Sequence, residues 1–247
     1  MKSGRIEILG VPIDNVTEAE VLARVAMMIE SGRPHQICTI NPEFIMEAQR
    51  NPAFRAVLQA ADLNTPDGIG VVLAARWLGV PLRGRVTGVE LTQGLARMAA
   101  ERGYRIFFLG AAPGVAEAAA AALQQRWPAL SVAGCYAGSP APEADTLQRQ
   151  IISATRPDVL LVAYGHPRQE LWIARNQPLL QIPVAIGVGG TFDYLAGRVP
   201  RAPRLMRQLG LEWAFRLVVQ PRRWRRIIDA VPMFLLTVLW HRRRGLQ

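Results

Sequence analysis

Asp158-Val159-Leu160-Leu161-Val162-Ala163-Tyr164-Gly165 is an apolar run that ends at a glycine. A run of this length without polar alternation predicts a strand that is buried on both faces, which is typical of parallel sheets. The order of apolar strand, glycine loop and helix also occurs from residue 104, where the strand ends at Gly110, and from residue 184, where it ends at Gly187. Three occurrences predict a mainly parallel sheet with helices on both faces.

The first hundred residues fit the same α/β architecture. Short strands are expected at residues 6–9, 11–13, 36–40 and 61–64, and helices at 17–31, 43–50, 52–59 and 90–101. Capping-box spacing at Thr17 and Glu20 supports the start of the first helix. We therefore predict a Rossmann-like α/β core over residues 1–200 and a basic amphipathic helical C-terminal appendage over residues 201–247.

The positive charge is concentrated in that appendage. The formal net charge of the chain is +10, and every basic residue except Lys2 is an arginine. Residues 201–247 contain 11 arginines against only Glu212 and Asp229, whereas residues 1–200 are nearly neutral. A segregated basic segment predicts an anionic partner such as a phospholipid surface, a nucleic acid or a polyphosphate ligand.

The appendage also has the spacing of a helix that lies on a membrane. Apolar residues at positions 224, 227, 228, 231 and 235 fall on one helical face, and arginines surround them. This pattern predicts an amphipathic helix bound to an anionic membrane surface through Trp224, Ile228, Arg222 and Arg225. The alternative is a helix packed on the body with a solvated arginine face. The apolar tail could also be buried between the subunits of a homo-oligomer.

The remaining bulk features predict a cytoplasmic protein that is peripheral on the inner face of the plasma membrane. Cys38 and Cys135 form neither a zinc motif nor a disulfide framework, and the N-terminus has no apolar signal core. The uncharged apolar run at residues 230–240 would span about 16 Å as a helix, against roughly 30 Å of hydrocarbon. It is therefore too short to cross a bilayer.

Asn64-Thr65-Pro66-Asp67-Gly68-Ile69-Gly70 is a polar turn that opens an apolar helix. Backbone N–H groups and the helix dipole would hold the Asp67 carboxylate ionised there, which suits a catalytic base and equally suits an N-cap. Ligands of parallel sheets bind at the carboxyl ends of the strands. We expect Asp67 to share that edge with Thr39, Asn41 and the glycine loops that follow the later strands.

The expected chemistry of this edge is limited by what the sequence lacks. Glycines at 110, 165, 187 and 189 would let the backbone approach a phosphate, although each alone is weak evidence because strand-end glycines are common for turn geometry alone. The chain contains no GxGxxG after a strand, no GxxxxGK[ST] and no Asp-x-Asp pair. We therefore expect no cofactor and no metal, so arginines or helix dipoles would neutralise any diphosphate. His166, Gln169, Glu170 and Asp193 could line the pocket or serve the local structure.

Six spaced motifs together resemble a known family. They are Thr39-Ile40-Asn41-Pro42, Thr65-Pro66-Asp67-Gly68, Gly165-His166-Pro167-Arg168-Gln169-Glu170, Gly187-Val188-Gly189-Gly190-Thr191-Phe192-Asp193, Arg201-Ala202-Pro203 and Glu212-Trp213-Ala214-Phe215-Arg216. The chain resembles, over nearly its whole length, the bacterial N-acetylmannosaminyltransferases that build the teichoic-acid linkage unit, enterobacterial common antigen and related capsular polymers. The resemblance implies an inverting, metal-independent transfer of N-acetylmannosamine or a related hexose. The donor would be a UDP-sugar and the acceptor a polyprenyl-diphosphate-linked N-acetylglucosamine.

The resemblance also implies roles for single residues. Asp67 matches the proposed general base, which would deprotonate the acceptor hydroxyl. Three polar residues match groups around the donor sugar and the base: Thr39, Asn41 and Gln169. The implied substrate-binding set contains Arg85, Gly110, Gly165, Gly187, Gly189 and Asp193. The arginines that would neutralise the UDP diphosphate, the lipid diphosphate or both are Arg216, Arg223 and Arg226, although Arg222 crowds their spacing.

A second function class stays open at this point. The chain could be a non-catalytic nucleotide-sugar or nucleic-acid binding protein with a basic tail. Nucleic acid is not the partner we expect, because residues 1–200 show no basic or aromatic platform. The sequence leaves the donor open among N-acetylmannosamine, its uronic acid and glucose.

Overall fold

The computed structural model describes residues 4–203, 205–206, 211–219, 224 and 232–243. The strands in these ranges are β1 Arg5–Ile8, β2 Val11–Asp14, β3 His35–Ile40, β4 Leu63–Pro66, β5 Arg105–Gly110, β6 Ser131–Tyr136, β7 Val159–Ala163 and β8 Val184–Gly187. Six of them form one sheet in the order β4-β3-β8-β7-β5-β6, and all its pairs are parallel. The hairpin β1–β2 is antiparallel and separate. The predicted α/β fold is confirmed.

Helices connect and cover the strands. They are α1 Glu18–Ser31, α2 Pro42–Arg50, α3 Pro52–Ala60, α4 Ile69–Trp77, α5 Gly88–Arg102, α6 Val115–Arg126, α7 Asp145–Thr155, α8 Arg168–Leu180, α9 Thr191–Leu195, α10 Glu212–Val219 and α11 Phe234–Arg243. The predicted capping box is confirmed, because the Thr17 hydroxyl accepts from the Glu20 amide and the Glu20 carboxylate accepts from the Thr17 amide.

Strand β7 shows why the fold could be predicted from one apolar run. Val159 and Leu161 pack into the cluster formed with α1, α5 and α6, whereas Leu160 and Val162 pack into the cluster formed with α7 and α8. Successive side chains of a strand point to opposite faces, and here both faces are covered. A strand covered on both faces has no position for a solvated polar residue, so its sequence shows no alternation.

The C-terminal helix α11 has a buried side and an exposed apolar side. Its Phe234 and Val238 are buried in the cluster with α2 and α4, so one side packs on the body. Leu236 and Trp240 are 61% and 48% exposed, so apolar surface also faces outward. Among the described residues, every helix is too short or too polar to traverse a bilayer.

Most of the predicted amphipathic helix lies outside the described residues. Five residues with predicted membrane or diphosphate roles lie in this part of the chain: Arg222, Arg223, Arg225, Arg226 and Ile228. Trp224 is described and is 50% exposed. The membrane-binding helix and the division of the chain at residue 200 stay predictions.

Candidate active site

The carboxyl ends of four neighbouring strands, β4, β3, β8 and β7, surround one cavity. The loop or turn after each strand contributes to its wall, as expected for a parallel sheet. Seven residues of the predicted site line this cavity: Thr39, Asn41, Asp67, Gly165, Gln169, Gly189 and Asp193. The structure therefore brings together four segments that are separated by up to about 150 positions in the chain.

Asp67 lies in the turn between β4 and α4. Its backbone N–H donates to the carbonyl of Ile40 at 2.7 Å, which ties the turn to β3. The N-cap residue of α4 is Gly68, whose φ of 86° suits glycine and turns the chain into the helix. Gly68, and not Asp67, therefore occupies the N-cap position, and Asp67 is among the residues that line the cavity beside the helix start.

Thr39 and Asn41 are fixed by bonds within the rim. The Thr39 hydroxyl donates to the carbonyl of Gly187 at 3.3 Å, across to β8. The Asn41 side-chain carbonyl accepts from the Phe44 amide at 3.1 Å and caps α2. Asn41 therefore has a structural role of its own, and its amide nitrogen is the end that can donate to a ligand.

Gln169 joins two glycine loops. Its Oε1 accepts from the backbone N–H of Gly165 and from that of Gly189, each at 3.0 Å. Its Nε2 donates to Glu170 Oε1 at 2.6 Å. The orientation of this amide is fixed, because two backbone donors require the carbonyl oxygen on their side.

Glu170 is fully buried beneath this amide. Burial raises the pKa of Glu170 to about 8, and the hydrogen bond from Gln169 opposes part of that rise. This burial favours the protonated form of the Glu170 carboxyl group over the charged form. Its Oε2 has no hydrogen-bond partner in the described part of the chain. The sequence left open whether this residue lines the pocket or starts a helix, and the structure places it below the cavity wall at the start of α8.

Three predicted residues are not among those that line the cavity. Gly187 lies beneath it, where any side chain would collide with Gln169 and Glu170. Gly110 has a φ of 104°, and a Cβ there would lie 2.8 Å from the carbonyl carbon of Ala163, so the approach of β7 already accounts for this glycine. Arg85 lies in the loop between α4 and α5. The substrate roles of all three stay predictions, as does that of Arg216 on α10.

The cavity is also lined by residues for which the sequence predicts no defined role. His166 could either line the pocket or serve the local structure, and the structure places it in the cavity lining. Its Nε2 lies 3.4 Å from Glu43 Oε2. Arg201 also lines it, and its Nη2 donates to Glu90 Oε1 at 3.2 Å. Glu212 is a further lining residue. The sequence did contain a signal for Arg201 and Glu212, because each of them begins one of the six motifs.

The charge of the lining residues is unbalanced. Four carboxylates are present, from Glu43, Asp67, Asp193 and Glu212, whereas Arg201 is the sole arginine or lysine among the described lining residues. No group of three or more His, Cys, Asp or Glu side chains within the described ranges is arranged to hold a metal ion. A diphosphate in this cavity would therefore need cations in addition to Arg201.

The sequence was compared with known protein families and proteins. The family model described as glycosyl transferase WecG/TagA/CpsF family matches residues 6–247. The chain is 38% identical over 207 residues to an N-acetylglucosaminyldiphosphoundecaprenol N-acetyl-beta-D-mannosaminyltransferase of Bacillus spizizenii, covering 84% of this chain and 79% of the relative. It is 31% identical over 246 residues to a protein of the same name from Staphylococcus aureus, covering 98% and 95%. The chain belongs to the WecG/TagA/CpsF family of glycosyltransferases.

Proposed function

We propose that this protein transfers N-acetylmannosamine from a UDP-sugar to N-acetylglucosamine carried on a polyprenyl diphosphate. The names of its relatives supply the sugar and the acceptor. The observation that carries the proposal is the convergence of Asp67, Thr39, Asn41 and Gln169 on one cavity at the carboxyl edge of the sheet. An open cavity with a carboxylate in its wall suits transfer to a hydroxyl better than binding alone.

The proposed reaction is a single displacement with inversion. The acceptor hydroxyl oxygen attacks the anomeric carbon of the donor while Asp67 takes the hydroxyl proton. The bond from the anomeric carbon to the diphosphate oxygen breaks, and UDP leaves with the electron pair. Asp67 is the base that we select because it lies in the cavity wall and the cap position of α4 is filled by Gly68.

The proposal includes a metal-independent diphosphate site. The sequence has no Asp-x-Asp pair to hold a metal on a nucleotide-sugar. Arg201 lines the cavity, and its Nη2 donates to Glu90. The remaining Nη donors of the guanidinium would donate to a phosphoryl oxygen. Arg216, Arg223 and Arg226 would add the further cations that a cavity with four carboxylates requires.

Attachment to the cytoplasmic face of the membrane is the last part of the proposal. Large exposed hydrophobic side chains are frequent after residue 204 in the described ranges: Leu205, Leu211, Trp213, Leu217, Val218, Val219, Trp224, Met233, Leu236 and Trp240. Such a surface, together with neighbouring arginines, would bind the bilayer that holds the polyprenyl chain of the acceptor. The appendage would then bring the cavity to the lipid diphosphate.

A panel of UDP-sugars with a short-chain polyprenyl-diphosphate N-acetylglucosamine tests the function and identifies the donor. We expect UDP-N-acetylmannosamine to be used with the highest kcat/KM, with an inverted anomeric product and undiminished turnover in EDTA. Product formation is measured by mass spectrometry, and anomeric configuration by NMR. UDP binding without transfer from any donor would instead support the non-catalytic alternative.

Binding to vesicles tests the membrane proposal with the full chain. We expect more protein to sediment with vesicles of phosphatidylglycerol and phosphatidylcholine than with phosphatidylcholine alone, and the difference to shrink at 1 M salt, where the Debye length is about 3 Å. Trp224→Ala should weaken the binding, whereas Leu179→Ala, which removes a 67% exposed side chain on α8, should not. Equal binding to both vesicle types at low salt would contradict the proposal.

A further inference from the structure

Gln169 and Glu170 form a buried polar pair at the start of α8. Gln169 is 1% exposed, and Glu170 is fully buried. The loops that follow β7 and β8 both donate a backbone N–H to the Gln169 carbonyl, and its amide nitrogen donates to Glu170. Two walls of the cavity are therefore joined through one side chain, and that side chain is held by one carboxyl group.

The sheet provides a fitted space for this pair. Gly187 is the last residue of β8, and a side chain there would occupy the position of the Glu170 carboxyl and the Gln169 amide. Gln36 of β3 donates from its Nε2 to the backbone carbonyl of Glu170 at 3.1 Å, which fixes the start of α8 against the sheet. Glu170 thus has a defined position below the cavity, and it is not among the residues that line it.

We propose that Glu170 is a positioning residue for donor binding, which holds the Gln169 amide so that the Gly165 and Gly189 loops stay at the separation that a nucleotide-sugar requires. The identity of the ligand rests on the proposed function, but the linkage of the two loops does not. Glu170 acts through Gln169, because the cavity wall contains the amide and not the carboxyl group. A neutral oxygen acceptor is sufficient for this role, since Gln169 supplies the donor.

The variant Glu170→Ala removes the acceptor. We expect the Kd for UDP and the donor KM to rise about tenfold, as for the loss of a buried hydrogen bond and its partner, with a smaller change in kcat. Hydrogen exchange of the Gly165 and Gly189 amides, measured by NMR on the full chain, should become faster. Glu170→Gln keeps a carbonyl oxygen of the same reach, so it should restore the exchange rates and the affinity.

Gln177→Ala is the matched control on the same helix. Gln177 is also buried, and its Nε2 donates to the carbonyls of Ile182 and His35, away from the two glycine loops. This variant should lose stability while the UDP Kd and the two glycine exchange rates stay at wild-type values. If Glu170→Ala does not fold, Glu170→Leu removes the acceptor with less loss of volume and is measured in the same way.

The outcomes separate this inference from the proposed function. Unchanged exchange of Gly165 and Gly189 in Glu170→Ala or Glu170→Leu would overturn the positioning role, even in an enzyme that transfers sugar. Failure of Glu170→Gln to restore the exchange rates would also overturn it. Faster exchange and weaker UDP binding in a protein that transfers no sugar would support the positioning role and contradict only the proposed reaction.

Discussion

Replacing Asp67 by Asn should lower kcat by about 10²- to 10⁴-fold, the usual contribution of a general base. The amide keeps the size and polarity of the carboxylate but cannot accept the proton from the attacking hydroxyl. The Kd for UDP, measured by calorimetry, should stay the same or fall, because the variant removes one of the four carboxylates around the diphosphate. Steady-state kinetics with the short-chain acceptor measure the loss.

Asp62→Asn is the matched control for this variant. Asp62 is five positions earlier, beside the opposite end of β4. Its carboxylate accepts from the backbone N–H of Gln36 at 2.9 Å and lies 3.0 Å from His35 Nδ1. Removal of that charge should lower stability slightly and leave kcat unchanged. Equal activity of Asp67→Asn and the wild-type protein would show that another group, or none, takes the proton.

Strands such as β5, β7 and β8 could be predicted from the sequence because both of their faces are buried, whereas some helix limits could not be predicted. Proline removes a backbone donor and usually stops a helix, so the local pattern around Pro178 does not predict where α8 ends. The helix instead continues through Pro178 to Leu180. Buried Trp172, Ile173 and Leu180 and the Gln177 bond to Ile182 stabilise the longer helix, and such tertiary contacts outweigh local propensity.

The site could be predicted only as far as the ends of strands identify it. Residues that follow a strand, such as Asp67, Asn41 and Gly165, share one edge in any parallel sheet. The order of the strands is not contained in the local pattern, so the sequence could not show that β5 with Gly110 lies outside the group of four strands at the cavity. The Glu90–Arg201 contact joins residues 111 positions apart, which no spacing rule predicts.

Replacing Arg201 by Ala should lower kcat/KM by about 10²- to 10³-fold, as for the loss of one strong donor to developing charge. The Arg201 side chain is 20% exposed and is the guanidinium that the described residues place at the cavity wall. Its Nη2 donates to Glu90, which leaves the remaining Nη donors of the guanidinium for a phosphoryl oxygen. UDP affinity should fall more than uridine affinity, because only UDP carries the diphosphate.

Glu90→Gln separates this role from a purely structural one. Arg201 also anchors the start of the appendage, because its ion pair with Glu90 joins it to α5. The Thr87 hydroxyl in turn donates to the Glu90 carboxylate at 2.9 Å. The Gln side chain loses the ion pair but leaves the guanidinium in the cavity. If Arg201 contacts the diphosphate, kcat/KM should therefore fall slightly in Glu90→Gln and strongly in Arg201→Ala. If Arg201 served only as an anchor, both variants would lose kcat/KM equally and UDP would not be affected more than uridine. Arg201→Lys should have a kcat/KM between those of the wild-type protein and Arg201→Ala, because an ammonium keeps the charge but lacks the planar pair of donors that matches a phosphate.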